Sequence, residues 1–319
     1  MDHVRVRTPI PLVPILQVRP FAVHEALARG VPRGRLYAAD LARPFYGVRT
    51  AVAPQNLIDR MRAYSERMSA NEFFSHVTSA LHLGIPLPQR LEQQQELHVS
   101  VIAPAYSPRA RGVIGHEVKH AQVVNWRGFP IADAATTWCQ LAGLLPLADL
   151  VAVGDYLLTG PDPVHGIPAF LHAEDLSRAV REHAHGRGIR NARRALDLVR
   201  EGPRSRPESL LRVLMVTSGL PEPELNLPVR LADGSKKQPD IAYPAIRFGL
   251  EYEGDGHRTD RSRFLADIDR KEAFADINWE IMRVTTAHLQ HPVELIERIQ
   301  RRIRRRCLAL GVPIEAHEN

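Results

Sequence analysis

Three acidic residues in the last third of the chain have the types and the spacing of a metal-binding site. Asp240 follows Pro239 in a short run that is typical of a strand, and eleven residues later Glu251 is followed by Tyr252 and Glu253. Because residues two apart in a strand point to the same face, Glu251 and Glu253 should project together. If the strand that carries Asp240 lies beside them, three carboxylates converge.

A converging group of this kind requires a counter-charge. The acids lie among Val, Ile and Leu residues, where an uncompensated charge is costly to bury, and neighbouring like charges repel by about 1 kcal/mol or more. A divalent cation relieves both costs, and oxygen ligands with room for water favour Mg²⁺ or Mn²⁺. The alternative is that the three acids lie at an exposed strand end and are solvated.

The elements predicted around these acids form an α/β sandwich. In order, they are a helix over 206–217, strands over 225–231, 239–242 and 246–253, a helix over 260–277, a strand over 280–285 and a helix over 292–310. Asp233-Gly234 predicts a hairpin turn. The order αβββαβα is typical of helices that flank a mixed sheet.

These motifs resemble those of the PD-(D/E)XK nucleases, in the branch that includes very-short-patch repair endonucleases and the domain of unknown function 559. The matching stretches are Pro239-Asp240, LEYEGDGHR at 250–258 and the run 263–285, about a third of the chain. The resemblance implies a restriction-endonuclease-like fold and a metal-dependent DNA endonuclease in which Asp240 and Glu251 bind Mg²⁺ or Mn²⁺. The metal would activate water and stabilise charge on the phosphate oxygens.

One position departs from the pattern of that superfamily. Glu253 lies at the position where the motif that names the superfamily has lysine. A glutamate lacks the positive charge that stabilises a pentacovalent phosphate, although it could bind the metal directly. Lys271, on the following helix, is either a migrated lysine or a solvated helix charge. His257 is either a general base or phosphate contact, since histidine titrates near neutrality, or a turn residue that bonds within its loop.

Glu208 is a further candidate catalytic residue. Superfamily members often place an acid on the first helix, and the run SRPE at 205–208 resembles that feature. Ser205 and Glu208 also have the spacing of a capping box, in which Ser205 is the N-cap. The sequence leaves both roles open.

The charge of the chain permits DNA binding. It carries a formal net charge of +6, with a pI near 9.6, a balance that is compatible with nucleic-acid partners. Arginines crowd the last predicted helix, and the alternative to phosphate contact is a solvated helix face. The residues expected to hold the DNA backbone without reading its sequence are Arg258, Arg261, Arg301 and Arg305.

The N-terminal segment is predicted to be a small winged helix-turn-helix. Helices are predicted over 23–30 and 32–41, followed by a turn and a β-ribbon. The stretch Gly30 to Thr50 resembles the winged helix of antitoxins from type IV abortive-infection systems. That likeness implies DNA contact by Arg33, Arg35 and the wing residue Arg49, with a toxin or another protein as a candidate partner. The alternative is a small packing module.

The middle of the chain carries no motif that predicts a function. Its predicted elements are a helix over 71–83, strands over 96–102, 112–114 and 122–126, and helices over 133–145, 147–158, 173–186 and 191–199. Its histidines at 98, 116, 120 and 172 are scattered and suggest no ligand set. Gly202-Pro203 predicts a boundary, which gives three domains at 1–52, 53–202 and 203–319 in a protein that is α+β overall.

Composition narrows the location and leaves the function open. The two cysteines are distant from each other, which argues against a zinc site or a disulfide-built fold. Prolines and charges interrupt the apolar runs, so neither a signal peptide nor a membrane span is predicted, and a cytoplasmic protein is expected. The main hypothesis is a metal-dependent DNA endonuclease; the alternatives are a non-catalytic, antitoxin-like DNA-binding regulator with a degenerate nuclease fold, and a scaffold that binds a protein partner.

Overall fold

The structure is a computed structural model that describes residues 10–163, 165, 167–254 and 272–313. It is an α+β protein, as predicted, and it divides into two compact units. The first unit runs to Leu141 and includes Arg181–Arg187; the second comprises Ala142–Val180 and the chain from Gly188 onward. These units do not coincide with the three predicted domains, since Gly202-Pro203 lies inside the second unit.

The N-terminal module of the first unit has short elements around a small core. Its elements are α1 (Pro14–Gln17), β1 (Phe21–Ala22), α2 (Val23–Ala28), a 3-10 helix (Arg33–Tyr37) and β2 (Val48–Arg49). The core is a cluster that includes Leu16, Phe21 and Leu36, all fully buried.

Two predictions for this module were wrong in detail. The helix expected over 32–41 is a single 3-10 segment with Gly34 as its second residue, and it ends after Tyr37 because Ala38 is extended. The ribbon expected after it is reduced to one antiparallel bridge, between Ala42 and Thr50. Strand β2 pairs antiparallel with β1, which precedes the first of the two helices.

A five-stranded mixed sheet forms the rest of the first unit, with strand order β5-β4-β3-β7-β6. Its strands are β3 (Glu72–Phe74), β4 (Leu97–Ile102), β5 (Val113–Val118), β6 (Val123–Trp126) and β7 (Phe129–Ala132). The helices of this part are α3 (Leu57–Ser65), α4 (His76–His82), α5 (Gln89–Glu92) and α6 (Ala134–Leu141).

The single helix predicted over 71–83 is in fact a strand followed by a helix. Phe73 and Phe74 are buried in β3, where β-sheet pairing with β4 and β7 outweighs the helical spacing of the apolar residues. The chain then turns at Ser75, and α4 begins at His76.

The second unit combines helices with a four-stranded mixed sheet, order β13-β12-β11-β8, and a separate hairpin of β9 and β10. Its helices are α7 (Leu147–Thr159), α8 (Ala173–Glu182), α9 (Ile189–Leu198), α10 (Arg206–Thr217), α11 (Thr286–Leu289) and α12 (Pro292–Leu310); residues 181 and 182 of α8 belong to the first unit. Its strands are β8 (Glu224–Leu225), β9 (Val229–Arg230), β10 (Lys236–Lys237), β11 (Ile241–Tyr243), β12 (Phe248–Glu253) and β13 (Glu280–Thr285).

The predicted order of elements is largely present in this second unit. Helices α10 and α12 and strand β13 have the bounds that the sequence predicts, and the Asp233-Gly234 turn joins β9 to β10. Strand β12 pairs parallel with β13 and antiparallel with β11. The strand expected over 225–231 is split into β8 and β9, since Asn226 between them has a positive φ of 49°.

A buried ion pair joins α7 to α10 across the predicted domain boundary. Arg212 Nη2 lies 3.0 Å from Asp155 Oδ2, and both side chains are fully buried. Asp155 also accepts a hydrogen bond from the backbone nitrogen of Arg200 at 2.7 Å. These contacts explain why α7 and α10 belong to one compact unit.

Candidate metal centres

The sheet of the second unit brings two of the predicted acids together. Ile241 pairs with Leu250 in the antiparallel β11–β12 ladder, so Asp240, one residue earlier, lies opposite Glu251. Residues directly opposed in such a pair project from the same face, with Cβ atoms roughly 5 Å apart. The backbone N–H of Tyr252 donates to Asp240 Oδ2 at 2.7 Å, which fixes the carboxylate of Asp240 against β12.

A glycine permits the close approach of the Pro239-Asp240 segment to β12. A Cβ atom at Gly249 would lie 3.0 Å from the Cβ of Pro239 and 2.9 Å from Cδ1 of Ile281. Any side chain at 249 would therefore push the segment or β13 away. The apolar strand that carries the acids is built so that Asp240 packs tightly beside it.

The third predicted ligand has a different partner. Glu253 Oε2 lies 3.8 Å from Nη1 of Arg283, which is opposite Glu251 in the parallel β12–β13 ladder. Within the described residues, the group of three His, Cys, Asp or Glu side chains with ligand atoms within 4.8 Å of one another is made of histidines. The register thus sets Asp240 opposite Glu251, whereas Glu253 contacts Arg283, and these three acids, all of them described, do not form a group with ligand atoms within 4.8 Å of one another.

The other predicted catalytic residues divide into two groups. His257 and Lys271, like the predicted DNA contacts Arg258 and Arg261, lie outside the described residues and stay predictions. Glu208 is described, and its geometry matches the capping alternative. Its Oε2 accepts from the backbone nitrogen of Arg204 at 2.8 Å, and its Oε1 accepts from Ser205 Oγ at 2.7 Å.

Two arginines of the N-terminal module are not placed to contact DNA. Arg35 is buried, forms a two-point ion pair with Asp40 at 2.9 and 2.7 Å, and donates to the carbonyl of Ile10. Arg49 is buried too and donates to the carbonyl of Leu36 at 2.7 Å. Both predictions of DNA contact were wrong, because these guanidinium groups hold the module together; Arg33 is exposed.

The arginines of α12 serve partly as internal partners. Arg305 donates to both oxygens of Glu280 at 2.6 and 2.7 Å, and Arg302 contacts the same carboxylate. Glu280 is shared by two arginines and the side chain of Arg305 is exposed, so DNA contact by Arg305 stays a prediction. Arg301 has an exposed side chain and a long, 3.7 Å contact with Glu297, so it remains accessible to a phosphate.

Three histidines of the first unit form a compact group that the sequence did not reveal. His76 begins α4, His98 lies on β4 and His116 lies on β5. Nδ1 of His98 is 3.0 Å from Nε2 of His116, and the rings of His76 and His116 stack with centroids 3.7 Å apart. One potential ligand nitrogen from each ring lies within 4.8 Å of the other two.

Sheet register and a sharp turn produce this group. Ser100 pairs with His116 in the parallel β4–β5 ladder, so His98 and His116 share a face of the sheet. His76 reaches that face because the chain turns abruptly from β3 into α4, and its φ is 49°. A positive φ is unfavourable for a residue with a Cβ, so the surrounding structure must impose it.

Hydrogen bonds fix the backbone around the three rings. The N–H of Ser75 donates to the carbonyl of His98 at 3.0 Å, and the N–H of His98 donates to Thr78 Oγ1 at 2.7 Å. The N–H of His76 donates to the side chain of Gln140 at 2.9 Å. The group is therefore held from β3, β4, α4 and α6 together.

The imidazoles of this group favour the neutral form. Burial, followed by the neighbouring histidines, holds the pKa of His76 well below 6.5. Burial and His116 lower the pKa of His98 to about 4, and burial and the charge of Arg187 lower the pKa of His116. Neutral imidazoles present the lone pairs that transition metals require.

Sequence reasoning missed this site because its spacing is not local. In the sequence, His98 and His116 are scattered histidines, and no motif marks His76. A helical pair of ligands would show a short repeat, whereas these residues belong to a helix start and two strands that meet by parallel pairing. The one available signal was that His98 lies on a strongly predicted strand at an otherwise buried position.

The chain is similar to two curated proteins of Mycobacterium tuberculosis. These are the uncharacterized protein MT2308 (strain CDC 1551 / Oshkosh) and the uncharacterized protein Rv2248 (strain ATCC 25618 / H37Rv), each 25% identical over 271 residues. The matches cover 84% of this chain and 94% of each relative, so they include both compact units. No family model and no solved structure matches the chain.

Within the described ranges, no helix is both long enough and apolar enough to cross a membrane bilayer.

Proposed function

We propose that this protein is a DNA endonuclease that uses Mg²⁺ or Mn²⁺ held by Asp240 and Glu251. The observation that carries the proposal is the register of β11 and β12, which sets these two acids opposite each other. The mixed sheet around them, with its core of α10 and α12 side chains, supports the restriction-endonuclease-like fold that the sequence resemblance implies. Catalysis in such a fold depends on acids at this position of the sheet.

The donor set of this pair fits a hard divalent cation. Both carboxylates are half-buried, so they are desolvated enough to favour a counter-ion and accessible enough to leave room for metal-bound water. The hydrogen bond from Tyr252 keeps Asp240 in position before any ion arrives. When bound, the metal would lower the pKa of a water molecule and neutralise charge on the scissile phosphate.

Arg283 supplies the positive charge that a lysine at position 253 would have provided. Its guanidinium is 3.8 Å from Glu253, and it lies opposite Glu251 on the neighbouring strand. A guanidinium stays charged at every physiological pH and is well shaped to contact phosphate oxygens. We therefore assign Arg283 to stabilising the phosphate and Glu253 to orienting the guanidinium of Arg283. His257 remains the candidate general base, and Lys271 remains a candidate for a second positively charged side chain.

Basic residues on the surface support DNA as the substrate. Arg301 and Arg304 are exposed on α12, and Arg33 is exposed in the N-terminal module. Contacts from such residues to phosphates give affinity without sequence specificity. The proposed location is the cytoplasm, where Cys139 and Cys307, both buried and free, would stay reduced.

The test is cleavage of supercoiled plasmid by the purified chain with Mg²⁺, with Mn²⁺ and with EDTA. Asp240→Asn and Glu251→Gln remove ligand charge but keep the size of each side chain and an acceptor for Tyr252. Glu224→Gln, on β8 of the same sheet, is the matched control because Glu224 is exposed. Metal-dependent nicking that both ligand variants lose and the control keeps is expected.

The same experiment separates the proposal from its alternative. Glu253 at the expected lysine position favours a non-catalytic, antitoxin-like regulator. Salt-sensitive DNA binding without cleavage under any metal would support that regulator. Nicking that survives in Asp240→Asn and Glu251→Gln would show that the acid pair does not hold the catalytic metal.

A further inference from the structure

We propose that His76, His98 and His116 bind one transition-metal ion, with Zn²⁺ as the best-fitting species. This site is independent of the acids in the second unit, since its three histidines all belong to the first. Three imidazole nitrogens are a ligand set that suits Zn²⁺, and three protein ligands leave a fourth position for water or another molecule.

The distances of the group are close to those that a bound ion requires. Two nitrogens around a tetrahedral Zn²⁺ are about 3.3 Å apart, given bonds of about 2.0 Å. Nδ1 of His98 and Nε2 of His116 are already 3.0 Å apart, and all three ligand atoms lie within 4.8 Å. The rings of His76 and His116 are stacked, so their lone pairs lie in nearly parallel planes and metal binding requires one of the two rings to rotate.

The outer contacts leave the required nitrogens pointing inward. Ser75 Oγ lies 2.9 Å from Nδ1 of His76, so it can accept the Nδ1–H and leave Nε2 as the ligand. Ser100 donates to the same Ser75 oxygen at 2.6 Å, which fixes the position of that acceptor. Metal-bound histidines commonly have such a partner on their second nitrogen, which sets the tautomer and the ring orientation.

Gln94 provides the corresponding contact for His98. Its amide nitrogen Nε2 lies 3.2 Å from Nε2 of His98. Metal binding through Nδ1, the atom beside His116, requires this amide to turn over, so that its oxygen accepts the Nε2–H of His98. Two of the three histidines thus have a polar partner on the nitrogen that does not face the group.

The metal-free cluster places polar rings and one strained residue in a largely buried position. His76 is buried at a backbone conformation with a φ of 49°, and its ring stacks on His116 at an interplanar angle of 17°. An apolar side chain would fill this space without polar nitrogens to satisfy. Arg187 opposes a cation through its effect on His116, but it is exposed, so solvent screens its charge.

The partial exposure of His116 indicates where the fourth ligand would enter. His76 and His98 are buried, whereas His116 is half-buried on β5, the edge strand of the sheet. A site that is closed on two sides and open on one matches the arrangement of zinc sites that keep a coordination position for water or substrate.

The test is metal binding by the full-length protein after removal of metal with EDTA. Isothermal titration with ZnCl₂ should give one tight site in the first unit, and Co²⁺ in its place should give the visible absorption of a tetrahedral ion with nitrogen ligands. His98→Gln and His116→Gln should each weaken Zn²⁺ binding at least tenfold. His185→Gln is the matched control, because His185 is an exposed histidine of the same unit.

Two further variants distinguish the loss of a metal ligand from misfolding and from an effect of the acids in the second unit. Gln94→Ala removes only a partner of His98 and should weaken Zn²⁺ binding by about tenfold, the lower end of outer-contact effects. Asp240→Asn should leave Zn²⁺ binding unchanged, whatever its effect on DNA cleavage. Absence of a stoichiometric site, or a site that His98→Gln and His116→Gln leave intact while the variants stay folded, would overturn the proposal.

Discussion

Arg212 and Asp155 form an ion pair in which both side chains are fully buried, with 3.0 Å between Nη2 and Oδ2. Arg212 also donates to Glu222 Oε1 at 3.0 Å and to the carbonyl of Leu198 at 2.7 Å. Burial raises the pKa of Asp155, while the charge of Arg212 and the hydrogen bonds to Arg200 and Ser209 act in the opposite direction. The pair and its hydrogen bonds tie α7, α9 and α10 into one unit.

Removing one partner of this pair should destabilise the second unit strongly. Asp155→Asn leaves the buried guanidinium without its main counter-charge, and breaking a buried pair costs about 3 to 5 kcal/mol. Urea unfolding, monitored by circular dichroism, measures the change. The matched control is Glu297→Gln, since its partner Arg301 is exposed and surface pairs contribute about 0 to 1 kcal/mol. Equal losses in the two variants would show that the buried pair has no special role.

Substitutions at Glu208 should separate a capping role from a catalytic one. Glu208→Ala removes the acceptor for Arg204 N–H and Ser205 Oγ, so α10 should lose about 1 kcal/mol of stability. Glu208→Gln keeps one oxygen acceptor and should retain most of that stability. If Glu208 is only a cap, Glu208→Gln should also keep any plasmid nicking at the wild-type rate. A folded Glu208→Gln variant without nicking would restore the catalytic role.

The sequence predicted best the elements whose signals are local. Helix α10 begins after Ser205 with proline at its first turn and ends before Gly219, and these signals lie within the helix or next to it. The Asp233-Gly234 turn likewise specifies its hairpin by itself. The pairing of β11 with β12, which the convergence of the acids required, is nearly local because a short turn joins the two strands.

Features that depend on distant pairing were not predictable in the same way. His98 and His116 meet through a parallel ladder, and no local pattern states its register. Phe73 and Phe74 have helical spacing with their neighbours but are buried in a strand between β4 and β7. The side chains of Arg35 and Arg49 point into the N-terminal module because they bond to Asp40 and to backbone carbonyls. Composition alone does not reveal these contacts.

The two cysteines should be unreactive in the folded protein at neutral and mildly alkaline pH. Burial raises the pKa of Cys139 to about 12, and burial also raises the pKa of Cys307. Because the thiolate is the nucleophile, Cys139 at pH 8 should be ionised in only on the order of one molecule in ten thousand. Reaction with a disulfide reagent should be slow in the native state and rapid in concentrated guanidinium chloride. A Cys307→Ala variant isolates the response of Cys139.

The same shift has a consequence for stability at high pH. The unfolded chain ionises its cysteine near pH 8.5, whereas the folded state resists ionisation up to a pKa of about 12. The contribution of Cys139 is therefore fully present below pH 8.5 and is lost as the pH rises toward 12. In the Cys307→Ala background, replacing Cys139 by alanine should flatten the decline in melting temperature over this range, and an unchanged slope would contradict the assignment.

Arg33 and Arg35, two residues apart, should respond oppositely in DNA binding and in stability. Arg35→Ala removes the ion pair with Asp40 from a buried position, so the N-terminal module should melt at lower temperature. Arg33→Ala removes an exposed charge and should leave the melting temperature unchanged. If the module contacts phosphates through Arg33, its loss should weaken DNA binding equally for unrelated sequences and reduce the salt dependence by about one charge. Unchanged affinity and salt slope in Arg33→Ala would limit the module to a packing role, and DNA contact would then have to come from arginines such as Arg301 on α12.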